Sequence, residues 1–382
     1  MRDQRIDRLA EVLVKYSVGV RKGDVVLVRG PVGAQPLLIA AYREVLRAGG
    51  HPVLRVRIPE TEEVLCKYGD DGQLSYIYPC NKKDMEIANG LISAWAEENT
   101  KAMSNVEPAK QGLISKARKP ILETLMKRSA LPGDKKFRWV GTQFPCNASA
   151  QDAEMSLSEY EDFVFKAGLL HLSDPAKAWQ KIGVAQQRVC DFLEKAREIR
   201  FIAPGTDLRC GIAGRKWINC DGRNNFPDGE VFTAPVEDAT EGEVHYSYPA
   251  VFRGQEVQDV RLRFRAGKVV DATAAKGESL LHEMLEQDKG AKILGEIAIG
   301  TNYAIKQYTK NTLFDEKIGG TFHAALGAAY PESGGKNKSA LHWDMVCNLR
   351  KGGRIEVDGK EILKNGRFHN ANWPKPMGRS RR

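Results

Sequence analysis

Ile6, Leu9, Ala10, Leu13 and Val14 recur at helical intervals and predict an amphipathic helix over residues 4–17. A turn at Lys22-Gly23-Asp24 follows. The apolar run 25–28, bounded by Gly30 and Pro31, then predicts a buried parallel strand. Leu37, Leu38, Ala41, Val45 and Leu46 share one side of a predicted helix over 35–48, which Gly49-Gly50 stops. Residues 51–58 predict the next strand, which completes a βαβ unit. The loop between strand and helix, Arg29-Gly30-Pro31-Val32-Gly33-Ala34, lacks the GxGxxG spacing, and Pro31 removes an amide that could cradle phosphate. A nucleotide site is therefore not expected there.

Residues 82–135 are charged and helix-prone, with breaks expected at Asn105, Pro108 and Pro120. A strand is predicted over 137–141 and helices over 156–168 and 184–199. The texture changes at the turn Pro204-Gly205-Thr206-Asp207. Beyond it, strand-like alternation at 206–212, 243–251, 257–265 and 268–274 predicts an antiparallel sheet, and helical patterning returns at 278–290. The pattern predicts an α/β N-terminal domain with βαβ units over 1–204 and an α+β C-terminal domain over 205–368. A loose basic tail is expected over 369–382.

Composition narrows the function classes. With 42% apolar and 28% charged residues, the 382-residue chain has the balance of a folded globular protein. Mean hydropathy is −0.42. Apolar runs such as 36–42 fall well short of the ~18–20 residues of a membrane span, so no membrane partner is expected. Arg2, Asp3, Arg5, Asp7, Arg8 and Glu11 leave no room for a signal-peptide core. Seven scattered cysteines without a CxxC pair read as free thiols of a reducing compartment, and a cytoplasmic address is expected. The net charge of +9 is spread along the chain, with Arg379, Arg381 and Arg382 supplying part of it. It reads as a solvated surface, not as a nucleic-acid footprint.

Five segments carry candidate chemistry. Pro227-Asp228-Gly229 is a turn that presents Glu230 at the start of a short apolar strand. Glu296 stands alone in the apolar, glycine-flanked run 294–302, where a carboxylate is costly unless paired or metal-bound. Glu316 and His323 flank Gly319-Gly320. If residues 321–330 are helical, His323 and Tyr330 share a face. His342 and Asp344 project together if they lie on a strand. Imidazoles with carboxylates suit zinc, cobalt or manganese, and one bridging carboxylate would make a two-metal hydrolytic centre. Peptidase, phosphoesterase and amidohydrolase all fit this chemistry.

These segments, taken in order, resemble the aminopeptidase T family of metal-dependent aminopeptidases. The resemblance starts at Arg5-Ile6, Leu13-Val14, Tyr16-Ser17-Val18 and Lys22-Gly23-Asp24. It continues through the segment ending at Pro235, the Gly295–Asn302 segment, the block from Leu313 to Tyr330 and the His342/Asp344 pair, and it spans roughly residues 4–368. It implies a homodimeric aminopeptidase acting on peptides with a free N-terminus, with two divalent ions per subunit and the N-terminal domain enclosing the site. It implies Glu230, Glu296, Glu316, His323, His342 and Asp344 as metal ligands, with Glu296 bridging. Tyr330 is implied as the donor to the tetrahedral intermediate and Glu316 as an alternative proton shuttle. The competing readings are a two-metal hydrolase of another amide and a non-catalytic basic binding protein that engages nucleic acid.

Overall fold

The computed structural model describes residues 3–252 and 254–376. The chain forms two compact units. One runs to Ala176 and takes in Gly222–Pro227; the other comprises Lys177–Asp221 and continues from Asp228.

The first unit is built on a parallel five-stranded sheet in the order His51–Arg57, Val25–Pro31, Gly90–Trp95, Arg138–Gln143, Asn225–Phe226. The predicted βαβ unit is its edge: Val25–Pro31, helix Gln35–Arg47, His51–Arg57. Val26, Leu27 and Val28 are at most 3% exposed, as a strand covered on both faces requires. Residues 32–34, after the first strand, close into a single 3₁₀ turn before the helix. The predicted first helix is α-helical over Gln4–Glu11 and continues as a π-helix over Val12–Val18.

Two expectations for residues 82–135 are corrected. The stretch contains the inner strand Gly90–Trp95, whose short run with a central serine is masked by the charged helices on either side. Pro120 does not break the chain's helix, because Pro108–Ser129 runs through it. The Thr124 hydroxyl donates to the Pro120 carbonyl (2.8 Å).

The second unit contains helix Pro175–Leu193 for most of its length, two large antiparallel sheets and a two-stranded antiparallel ribbon, Ala250–Phe252 with Gln255–Val257. The larger sheet runs in the order Lys268–Thr273, Arg261–Arg265, Thr240–His245, Thr206–Gly211, Glu198–Ala203, Arg354–Val357, Lys360–Lys364, Arg367–Phe368. The Pro204–Asp207 turn joins two neighbouring strands of this sheet, with Gly205 at φ +72°. The smaller sheet runs His342–Asn348, Thr321–Gly327, Leu294–Gly300, Glu230–Thr233, Ile218–Cys220. Both sheets contribute to one hydrophobic core, in which Phe201 of the larger stacks on Phe322 of the smaller at 4.2 Å between ring centroids.

The segment after Phe368 is anchored at Trp373. Trp373 is 7% exposed and packs against Phe192 and Phe368. The arginines at 379, 381 and 382 lie outside the described residues. Among the described residues, all seven cysteines are free thiols and no helix is long and apolar enough to cross a membrane.

Candidate metal centre

The smaller sheet sorts its side chains by strand alternation. Val231, Ile297, Ile299, Phe322, Ala324, Leu326, Trp343, Met345 and Cys347 all enter the core on one face. The residues between them point to the other face. The register sets Glu296 opposite Ala325 and Ala325 opposite Asp344. It also pairs Ala298 with His323, Gly327 with His342 and Gly300 with Glu230. Glu230, Glu296, His323, His342 and Asp344 therefore share a face. Ala298, Gly300 and Ala325 stand among them, too small to fill the space the larger side chains enclose.

Local sequence fixes each position. Gly229, at φ +123°, turns the chain into the Glu230 strand; a Cβ there would lie 2.7 Å from the Cβ of Asn302. The Asn302 amide locks the same turn by donating to the Asp228 carbonyl (2.9 Å). A bulge between Leu294 and Glu296 adjusts the register where the glutamate enters. Glu316 comes from the end of the short helix Thr312–Asp315, just before Gly319-Gly320.

His323 Nε2 lies 3.4 Å from Glu230 Oε2 and 3.3 Å from Glu296 Oε1. His342 Nε2 lies 3.6 Å from Glu296 Oε2 and 3.5 Å from Asp344 Oδ2. Glu296 thus spans the two imidazoles, one oxygen toward each. The His342 Nδ1–H donates to the Ala328 carbonyl (2.9 Å), which turns its Nε2 toward the acids. Residues 321–327 are a strand and not a helix, so Tyr330 does not reach the site as a helical neighbour of His323. It lies beyond the strand's end, packed on Phe232 (5.5 Å between centroids) and edge-on to His342 (5.3 Å).

Three neighbours of the cluster are not among the candidates read from the sequence. Lys317 is 1% exposed, and its Nζ lies 2.9 Å from Glu230 Oε1 and 2.5 Å from Glu316 Oε2. The sequence carries no signal for it, because Lys317 follows Asp315-Glu316 and a charge run of this kind reads as surface. Asp228 and Cys220 join Glu230 in a further group of possible ligands. Neither stands in a recognisable ligand spacing.

The electrostatics are those of a site short of positive charge. Burial pushes the Glu296 carboxyl well above its ordinary range, and Asp344 and Glu230 push it further. Burial raises Glu316 in the same way, with Lys317 opposing and Asp344 adding to the rise. Asp228 is pushed up to about 8 by burial, against the pull of Lys317. Burial lowers Lys317, but Glu230 and Glu316 more than reverse this and hold it well above its usual value. Burial and the nearby Glu296, Asp344 and Glu316 raise the Tyr330 phenol, so it stands as a neutral donor.

The donors fit a divalent cation. Glu230 Oε2 is buried and accepts no hydrogen bond among the described residues. The ligand atoms of Glu230, Glu316 and His323 all lie within 4.8 Å of one another, and so do those of Glu296, His323 and Asp344. Carboxylates and neutral imidazoles are the ligands of hydrolytic zinc, manganese and cobalt sites.

Comparison with known proteins points the same way. The family model described as thermophilic metalloprotease (M29) matches residues 2–368. Aminopeptidase T of Thermus thermophilus is 28% identical over 404 residues, covering 93% of this chain and 94% of its own. Aminopeptidase 2 of Geobacillus stearothermophilus is 25% identical over 415 residues, covering 97% and 98%. The solved structure of wild-type AmpT from Thermus thermophilus matches with a TM-score of 0.84 at 24% identity, covering 96% of this chain and 99% of that one.

Proposed function

The chain belongs to the thermophilic metalloprotease family M29, and on that premise we propose that it is an aminopeptidase whose centre holds two divalent ions. The reading is that it releases the first residue of peptides with a free N-terminus. One observation carries the proposal. Four carboxylates, Glu230, Glu296, Glu316 and Asp344, converge with His323 and His342, while Lys317 is the one ammonium paired within the cluster among the described residues. Such an excess of buried negative charge is costly unless cations enter it.

Two ions there would supply a polarised carbonyl and a water acidic enough to act near neutral pH. The two triads that share His323 support two places for them, and Glu296, with one oxygen toward each imidazole, would bridge. The protein's own contribution is placement. Tyr330 stands beside His342 with a protonated phenol and would donate to the oxyanion that develops on the scissile carbonyl. Glu316 has its carboxyl raised toward neutrality and is suited to holding a proton destined for the leaving amine. The names of the relatives, aminopeptidases in each case, favour peptides over other amides.

The test is free amino acid release from an unblocked dipeptide by chelator-stripped protein re-titrated with zinc, cobalt or manganese. The N-acetylated dipeptide is the control. Metal-dependent release from the free amine alone is expected. Cleavage of both substrates, or turnover without metal, contradicts the reading.

We also propose that the protein works as a homodimer. Besides the family resemblance, an open apolar face of the first unit supports this: Ile39, Tyr42, Leu54 and Val56 are 38–56% exposed around the edge strand His51–Arg57. Light scattering should give about twice the 42.5 kDa chain mass, and a value of one chain mass at micromolar concentration refutes it.

A further inference from the structure

Lys317 is the feature of the centre that neither the motifs nor the comparisons assign. The two groups of candidate ligands that share His323 are unequal with respect to it. Its Nζ lies on Glu230 and Glu316, two members of one triad. No ammonium is paired with Glu296 or Asp344, the carboxylates of the other; among the described residues their ion-pair partners are the two imidazoles. The lysine is held from both sides. Its backbone carbonyl accepts from Asn302 N–H and its own N–H donates to the Phe314 carbonyl, while its side chain is 1% exposed. It is a fixed internal cation in a water-excluded place.

We infer that Lys317 is a built-in competitor for one of the two metal positions, so that the centre has one strong site and one weak, exchangeable site. The inference rests on the two-ion reading above. At the Glu296–His323–Asp344 end, a divalent ion meets carboxylates that carry no ammonium among the described residues and is opposed less. At the Glu230–Glu316 end, it must displace the ammonium from both carboxylates or share them with it. Displacement strands a buried positive charge beside the incoming ion, and sharing leaves the carboxylates partly neutralised. Either way the second ion binds more weakly than its ligand set alone predicts. Lys317 thereby also holds Glu230 and Glu316 in place while that position is empty. It acts through the ligands and is a positioning residue.

The test is calorimetric titration of chelator-stripped full-length protein with zinc chloride. Bound zinc is counted after equilibrium dialysis at low and high free zinc. The wild type is expected to take up one equivalent tightly and a second at least ~10-fold more weakly, a gap of ~1.4 kcal/mol or more. In Lys317→Met, which keeps the length of the stem and removes the charge, the second equivalent should tighten at least ~10-fold while the first changes little. Lys317→Gln should behave alike, and circular dichroism reports whether each variant is folded. Two equal equivalents in the wild type overturn the inference, and that arm requires no variant. Loss of the second equivalent in both folded variants also overturns it, because the lysine would then be a support and not a competitor. No zinc uptake by the wild type removes the metal reading itself, a result distinct from the other two.

Discussion

Glu296→Gln should lower kcat/KM for dipeptide hydrolysis by at least about 10³-fold, a loss of ~4 kcal/mol of transition-state stabilisation. The substitution preserves shape and removes one charge. The Glu296 oxygens lie 3.3 Å from His323 Nε2 and 3.6 Å from His342 Nε2. An ion bound near either imidazole therefore meets this carboxylate, and the amide that replaces it has one weaker donor oxygen. The fold should survive. In the metal-free protein, burial and the neighbouring Asp344 and Glu230 raise the Glu296 carboxyl above its ordinary value. A carboxylate raised on folding carries a penalty that grows as pH rises above its unfolded value and disappears as pH falls below that value. Glutamine removes that penalty at neutral pH. Stripped Glu296→Gln should therefore melt no lower than stripped wild type, while zinc should raise its melting temperature less than it raises the wild type's. Undiminished turnover with normal metal content would exclude Glu296 as the shared ligand.

Part of this centre is legible in the sequence, for a reason that can be stated. On a strand the side chains alternate, and one face of the smaller sheet is core. A polar residue inside an apolar strand pattern must then be either exposed or functional. His342-Trp343-Asp344-Met345 shows that alternation directly, and the structure gives it the expected form: Trp343 and Met345 in the core, His342 and Asp344 on the other face. Glu296, alone among Leu294, Ile297 and Ile299, is visible for the same cost of burial.

What stays hidden depends on pairing between distant segments. The run from Thr321 to Gly327 is apolar enough for helix or strand, and only its register against Leu294–Gly300 and His342–Asn348 decides. A helix would place Tyr330 beside His323; the strand places it beside His342. Lys317 is hidden because a lysine next to a glutamate reads as surface. Only the fold shows that Nζ is enclosed between two acids 86 residues apart in the chain. In the first unit, the strand Gly90–Trp95 is lost among charged helices, since a short inner strand has no amphipathic period of its own.

Tyr330→Phe should lower kcat by about 10²–10³-fold with KM and bound metal nearly unchanged. The ring packs on Phe232 at 5.5 Å and edge-on to His342 at 5.3 Å, and phenylalanine keeps both contacts. The variant therefore removes the hydroxyl and little else, so His342 should stay in place with its Nδ1–H on the Ala328 carbonyl. The hydroxyl is worth most where charge develops, because burial and the nearby Glu296, Asp344 and Glu316 hold the phenol in its protonated form. An interaction made only in the transition state appears in kcat and kcat/KM alike. Tyr330→Ala separates this role from a packing role. Losing the ring as well, it should also loosen His342 and weaken metal binding, a defect that added zinc partly restores, whereas the Tyr330→Phe defect should not respond to zinc. Full activity in Tyr330→Phe together with a zinc-responsive loss in Tyr330→Ala would make the tyrosine a brace for His342, and the oxyanion would then need another donor.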